Sequence, residues 1–184
     1  MTKKYKGILA TLISLSIGFT TAVTNDCGGE ERWEEKVLTD DESSGIDYNN
    51  PIETTIQELV TFPTGKSSSK KPRQQIELSA YTIECNISKY ILEDDEDLHL
   101  VLEDGGASMI GEIPDFRCPE ADESNFTTRY KNARVMFSKY IKDKKYQTMR
   151  WRVTGVGFVD FAHGQTGKAD NNVELHPILK LEPF

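Results

Sequence analysis

Three histidines and their acidic neighbours are the residues of this chain best suited to proton transfer or metal binding. His99 follows Asp97 by two residues and His176 follows Glu174 by two, so one acid-x-His pattern occurs twice. Residues two apart on a strand share one face, with Cα atoms roughly 7 Å apart. The carboxylate can then orient the imidazole, or both groups can bind one ion. With His163 in the loop between the last two predicted strands, the pattern indicates a polar site.

Strand alternation predicts that these groups lie on the outer, solvent-facing side of the sheet, because the leucines between them point inward. Asp160 falls beside Glu174 if the last two strands form a hairpin. The candidate catalytic or metal-binding residues are therefore Asp97, His99, Asp160, His163, Glu174 and His176. The alternative is that both patterns are simply the solvent face of strands in an acid-rich protein, since no close ligand spacing such as HExxH occurs.

The Gly-rich segment from His163 to Lys168 shares only part of the pattern of a phosphate-binding loop. A Walker A loop needs four residues between its first glycine and its Gly-Lys pair, whereas only Gln165 and Thr166 intervene here, and Ala169 follows. A structural turn is the simpler interpretation, because glycine adopts positive φ at no steric cost. Backbone amides of a turn can still bind an anion, so Gln165, Thr166 and Lys168 are candidate ligand-binding residues.

The elements that must position these groups are five strands and one amphipathic helix. The expected strands are a long first strand from Gln75 with a bend near Tyr81-Thr82, then 98–102, 108–113, 149–161 and 173–181, with the helix over 124–142. This β-β-β-α-β-β order is that of an OB-fold, a five-stranded barrel with a helix at one end. The predicted fold class is therefore mainly β with one helix, an OB-fold-like barrel plus an N-terminal extension. An open α+β sheet is the alternative.

The chain divides into three regions by composition. Residues 1–22 have three lysines, an apolar stretch and small residues at their end, which predicts a Sec-type signal peptide; a retained membrane anchor is the alternative. Residues 23–73 form an acidic extension, in which Thr55 and Glu58 predict a capping box and a short helix. Residues 74–184 form the barrel domain. We therefore expect a secreted or periplasmic protein with no stable membrane span after cleavage.

Net charge bears on the partners of the protein, and cysteine content bears on its disulfides. The net charge of −8 becomes −11 when the lysines of the signal segment are removed, which makes non-specific nucleic-acid binding unfavourable. In an oxidising compartment cysteines form disulfides, and an odd number leaves one thiol unpaired. Cys27 and Cys118 lie in loop-like sequence and Cys85 lies in a strand pattern, so a Cys27–Cys118 disulfide is predicted, with Cys85–Cys118 as the alternative.

Six short motifs are spread along the chain: Glu31-Arg32-Trp33, Glu93-Asp94-Asp95-x-Asp97-x-His99, Met109-Ile110-x-Glu112-Ile113-Pro114, Val153 to Phe158, His163 to Gly167, and Glu174-Leu175-His176-Pro177. Together they resemble a family of uncharacterised exported bacterial proteins with an OB-fold-like domain. The resemblance covers most of the mature chain. It implies bacterial origin, export and a compact β-rich domain. It implies no particular activity for this chain.

Two functions follow from the residues. The first is an exported binding module for a small ligand or protein, using the barrel face and the loops 92–97 and 162–172, where OB-folds bind ligands. The second is a hydrolase of phosphodiesterase type, in which the outward histidines and carboxylates act as acid and base or hold a divalent metal. The sequence identifies no cofactor, and a divalent metal is the candidate for the hydrolase. We favour the binding module.

Overall fold

The computed structural model describes residues 27–28, 31–68, 72–161 and 164–184. The proposed signal peptide, residues 1–22, lies outside them. The extension contributes a helix α1 (Trp33–Lys36), a 3-10 helix (Asp41–Gly45), a two-residue strand β1 (Ile52–Glu53) and a helix α2 (Ile56–Thr61). Thr55 and Glu58 form the predicted capping box at the start of α2. No helix in the described ranges is long and apolar enough to cross a bilayer.

Five strands close into a barrel, and the OB-fold-like architecture is confirmed. They are β2 (Ala80–Leu92), β3 (Leu98–Asp104), β4 (Ala107–Ile113), β5 (Arg150–Val159) and β6 (Val173–Pro183). Their order around the barrel is β2-β3-β4-β6-β5, and β5 returns to pair with β2. All pairs of the barrel are antiparallel except β4 with β6. The short strand β1 adds in parallel to the outside of β2.

The long strand β2 closes the barrel because its first half pairs with β5 and its second half pairs with β3. The predicted bend near Tyr81-Thr82 was wrong: both residues are in regular register with β5. The irregularity lies between Ile87 and Lys89, where the register with β3 shifts. Residues 75–78 are a 3-10 helix rather than strand. The apolar alternation changes from even-numbered positions up to Ala80 to odd-numbered positions from Ile83, and this change marks the start of the strand.

Helix α3 (Thr127–Ser138) packs against the barrel through Tyr130, Ala133 and Phe137, which are buried. It is shorter than the predicted 124–142. A 3-10 segment follows from Lys142 to Thr148, and Asp143 within it has a positive φ of 58°, a conformation that cannot continue an α-helix. The helix thus covers one end of the barrel, as expected for an OB-fold.

The extension is held to the barrel domain by covalent and polar contacts. Cys27 and Cys118 form a disulfide, as predicted, and Cys85 is a free, buried thiol. A disulfide is consistent with an oxidising compartment. The Tyr130 hydroxyl donates to the Val37 carbonyl at 2.8 Å, and the Gly28 amide donates to the Asp95 carbonyl at 3.3 Å. Residues 31–40, which we call the N-terminal cover, are therefore fixed against one end of the barrel.

Gly157 allows the close approach between β5 and the segment before β2. A Cβ atom at this position would lie 2.4 Å from the backbone oxygen of Ile76. That distance is far below van der Waals contact, and the obstructing atom is backbone, which cannot rotate away.

We predict that Gly157→Ala lowers the free energy of unfolding by about 1–3 kcal/mol, the usual cost of overpacking. Gly45→Ala is the matched control, because a Cβ there meets nothing within 4 Å, and it should be neutral or slightly stabilising. Urea unfolding of both variants checks this. Equal stabilities for the two variants would contradict the close approach.

Candidate functional site

Both acid-x-His patterns meet at strand β4. This strand lies between β3, which carries His99, and β6, which carries Glu174 and His176. In the β3–β4 hairpin Glu112 stands directly opposite His99. In the parallel pairing of β4 with β6, Ile110 is opposite Glu174. Glu112 therefore projects between the two histidines.

The Glu112 carboxylate joins the two imidazole rings. Its Oε1 lies 3.0 Å from His99 Nδ1, and its Oε2 lies 2.9 Å from His176 Nδ1. The two histidines of the acid-x-His patterns thus converge on one carboxylate. Their acidic neighbours complete what we call the His–carboxylate cluster: Asp97, His99, Glu112, Glu174 and His176.

His99 is held as an imidazolium by its hydrogen bonds. Its Nδ1 faces Glu112 and also Glu93, at 3.1 Å, while its Nε2 is 2.9 Å from the carbonyl oxygen of Thr166. Both partners accept hydrogen bonds, so both ring nitrogens must donate. Burial disfavours the charged ring, but the hydrogen bonds to Glu112 and Glu93 outweigh it and raise the pKa of His99 to about 10.

His176 is surrounded by carboxylates. Its Nδ1 lies 3.2 Å from Glu174 Oε1 as well as near Glu112, and its Nε2 lies 3.4 Å from Asp97 Oδ2. Burial opposes charge on this ring, yet the facing carboxylates of Asp97, Glu112 and Glu174 raise its pKa well above the usual value. Burial, followed by repulsion from Glu112, raises the pKa of Glu174, whereas the pKa of Glu112 falls because its bonds from both histidines outweigh burial.

Asp97 is fixed at the end of the acidic loop that precedes β3. Its Oδ1 accepts a hydrogen bond from the Asp115 amide at 3.1 Å, and its Oδ2 faces His176. Arg134 of α3 holds the surrounding backbone by donating to the carbonyls of Glu96, Ile113 and Pro114. The acidic loop is thereby tied to the rest of the barrel end.

The expectation that these groups face solvent was wrong. Asp97, His99 and His176 are 0% exposed, Glu112 and Glu174 are 2% exposed, and Asp160 is 5% exposed. They point away from the barrel interior, but other segments pack over that face. Gly167 of the β5–β6 loop fits closely over Val101, where a Cβ would lie 2.6 Å from a methyl carbon. The N-terminal cover packs on the other side.

Two cations of the N-terminal cover lie over Phe158, whose ring is 5.7 Å from that of His176. The Arg32 guanidinium is 4.6 Å from the Phe158 centroid and the Lys36 ammonium is 5.6 Å from it. Burial opposes charge on Lys36, but the negative field of Glu174 and the other carboxylates raises its pKa. The cover thus places positive charge at the edge of the cluster.

Arg32 anchors the cover through a buried salt bridge. Its two terminal nitrogens lie 2.7 and 3.2 Å from the carboxylate oxygens of Glu77. Glu77 is itself fully buried and accepts a hydrogen bond from the Val159 amide at 2.9 Å. This bidentate pair connects the extension to β5.

The remaining candidates are placed around the cluster. Asp160 and Glu174 line one small cavity of about 10 Å³, together with Gln165 and Lys168, a volume near that of one water molecule. Thr166 contributes its carbonyl, which accepts from His99, rather than its side chain. His163 lies outside the described residues.

Sequence reasoning missed Glu112 as a site residue, although a signal was present. The turn Gly105-Gly106 is two residues long, which pairs Asp104 with Ala107. Counting back along the hairpin from that pair places Glu112 opposite His99. The contribution of Arg32 and Lys36 had no comparable signal, because their contacts with the barrel join distant parts of the chain.

Comparison with known proteins gives no family. No family model matches the sequence. No curated protein matches it. Among solved structures, the chain is similar to a crystal structure assigned as an aspartyl-tRNA synthetase from Leishmania major Friedlin, with 13% identity and a TM-score of 0.41. That match covers 82% of this chain and 26% of the other, so this chain spans about a quarter of that protein. A likeness at this level carries no argument about function.

We predict that Arg32→Met lowers the free energy of unfolding by about 3–5 kcal/mol, because Glu77 would remain buried without its partner. Arg152→Met is the matched control. Arg152 also pairs with two carboxylates, Glu53 and Glu84, but all three are exposed, so the loss should be about 0–1 kcal/mol. Urea unfolding compares them, and similar losses would show that Arg32 does not anchor the cover.

Proposed function

We propose that this protein is an exported binding module whose small ligand is held by the His–carboxylate cluster at the covered end of the barrel. The observation that carries the proposal is the burial of five ionisable side chains in one group. A buried ionic network costs desolvation energy and is often less stabilising than apolar packing. Clusters of ionisable groups with perturbed pKa values occur preferentially at functional sites.

Closure of the site favours binding over hydrolysis. A phosphodiester substrate would have to displace the N-terminal cover or the β5–β6 loop before it reached either histidine. The cavity that borders the cluster has a volume of about 10 Å³, which suits an ion or a water molecule and excludes a nucleotide. The acidic charge of the chain also disfavours nucleic acid as the partner.

Export is the second part of the proposal. A Sec-type signal peptide in residues 1–22 would deliver the chain to the periplasm or the medium, where the Cys27–Cys118 disulfide forms without opposition from cytosolic reductants. In such a compartment the disulfide would retain the N-terminal cover over the cluster.

Native mass spectrometry of the protein purified without chelators tests the binding function. We expect a mass above that of the polypeptide, lost on denaturation, which reports a bound small ligand whatever its identity. Glu112→Gln should lose this extra mass because it weakens the link between His99 and His176. Glu103→Gln is the matched control on the exposed part of the neighbouring strand and should retain it.

The absence of extra mass in the correctly folded wild type would contradict the proposal, with near-ultraviolet circular dichroism as the check of folding. An activity assay distinguishes the binding module from the hydrolase alternative. Hydrolysis of bis-(p-nitrophenyl) phosphate by the wild type, abolished in Glu112→Gln and retained in Glu103→Gln, would replace the binding module by a phosphodiesterase.

A further inference from the structure

Two atoms of the His–carboxylate cluster lack a hydrogen-bond partner although they are fully buried. They are Asp97 Oδ2 and His176 Nε2, and within the described ranges only Ser67 Oγ shares this property among side-chain atoms. The two atoms lie 3.4 Å apart, which permits an ion contact but lacks the alignment of a hydrogen bond. An unsatisfied buried polar group costs about 1–3 kcal/mol, so a pair of them at one point requires an explanation.

Their separation matches two ligands of one metal ion. Tetrahedral Zn²⁺ binds imidazole nitrogen and carboxylate oxygen at about 2.0–2.1 Å, which places two such ligands about 3.3–3.4 Å apart. One ligand atom from each of Asp97, Glu112 and His176 lies within 4.8 Å of the other two. A shift of the Glu112 carboxylate away from His176 Nδ1 would therefore supply a third donor to the ion.

The bonds on the other side of the His176 ring also suit a metal ligand. When Nε2 faces a metal, Nδ1 carries the proton and needs an acceptor. Glu174 Oε1 lies 3.2 Å from that nitrogen and can accept its hydrogen bond when Glu112 turns to the ion. A carboxylate behind a histidine in this way fixes the tautomer and orients the ring.

The surroundings of His176 also suit a cation. The buried carboxylates of Asp97, Glu112 and Glu174 all lie within 3.4 Å of its ring nitrogens. A divalent ion bound at Nε2 would be attracted by these acidic groups.

We propose that Asp97, Glu112 and His176 bind one divalent cation of the zinc class. This inference rests on the proposed binding function and names its ligand. Mixed imidazole and carboxylate donors favour Zn²⁺ over Mg²⁺ and Ca²⁺, which prefer oxygen ligands alone. The ion would connect the start of β3 to β4 and β6, so it would stabilise the end of the barrel that the N-terminal cover closes.

Metal analysis of the disulfide-bonded chain tests this inference. After treatment with EDTA, the protein is refolded with its disulfide intact in the presence of Zn²⁺, Mg²⁺ or Ca²⁺, so that a closed site can load. After removal of free metal, elemental analysis should give one equivalent of zinc and no magnesium or calcium. The melting temperature of the zinc form should be about 5 °C or more above that of the EDTA-treated form.

Asp97→Asn and His176→Gln should lose at least ten-fold in zinc affinity and lose the thermal shift. Asp170→Asn, an exposed acid of the β5–β6 loop, is the matched control and should bind as the wild type does. If the cluster variants fail to fold, the number of zinc equivalents bound by the wild type tests the inference by itself. Less than 0.2 equivalents of zinc with no thermal shift overturns the metal site.

The two proposals fail in different ways. A non-metal mass excess in the native spectrum together with no bound zinc would overturn the metal inference and keep the binding module. No mass excess and no zinc would overturn both, and the cluster would then be a purely structural ion network in which a proton occupies His176 Nε2. Zinc that binds equally well to His176→Gln would place the metal elsewhere and also overturn the inference.

Discussion

The bridge that Glu112 makes between His99 and His176 is the interaction on which the rest of this structure depends. A carboxylate buried at the end of a barrel is costly unless its oxygens are satisfied, and here each oxygen has its own imidazole within 3.0 Å. The bridge connects three neighbouring strands through their side chains. Because His99 then needs an acceptor on its far side, the bridge also determines where the Thr166 carbonyl must lie.

Burial of that bridge explains the arrangement of the extension. An OB-fold commonly leaves one face and its adjoining loops free for ligands, whereas here residues 31–40 pack over the polar end of the barrel. Arg32 anchors this cover to Glu77, and the Cys27–Cys118 disulfide attaches the start of the described extension to the loop that follows β4. With water excluded, the interactions among the carboxylates and imidazoles become stronger than they would be at a surface. The binding function that we propose would use this environment to hold a small charged ligand.

Much of the fold could be predicted from local sequence, because each barrel strand has its own apolar alternation and the helix its own period. The Cys27–Cys118 disulfide could be predicted because both cysteines lie in loop-like sequence, whereas Cys85 lies in a strand pattern. The site was only half predicted. Asp97, His99, Glu174 and His176 were identified from their spacing, but their burial could not be, since alternation distinguishes two faces of a strand without showing what covers the second face. That information lies in contacts between distant residues, such as Arg32 with Glu77 and His99 with Thr166.

The most direct test of the central claim is the protonation state of His99, measured by ¹⁵N NMR of the imidazole nitrogens at pH 8. A solvated histidine is neutral at this pH, since its pKa is about 6.5. The Glu112 bridge and the Thr166 carbonyl predict two protonated nitrogens on His99 in the wild type. In the folded Glu112→Gln protein, where Glu93 is the remaining carboxylate at Nδ1, they predict a lower His99 pKa. A neutral wild-type His99 that titrates near pH 6.5 would contradict the bridge and the closed cluster built around it.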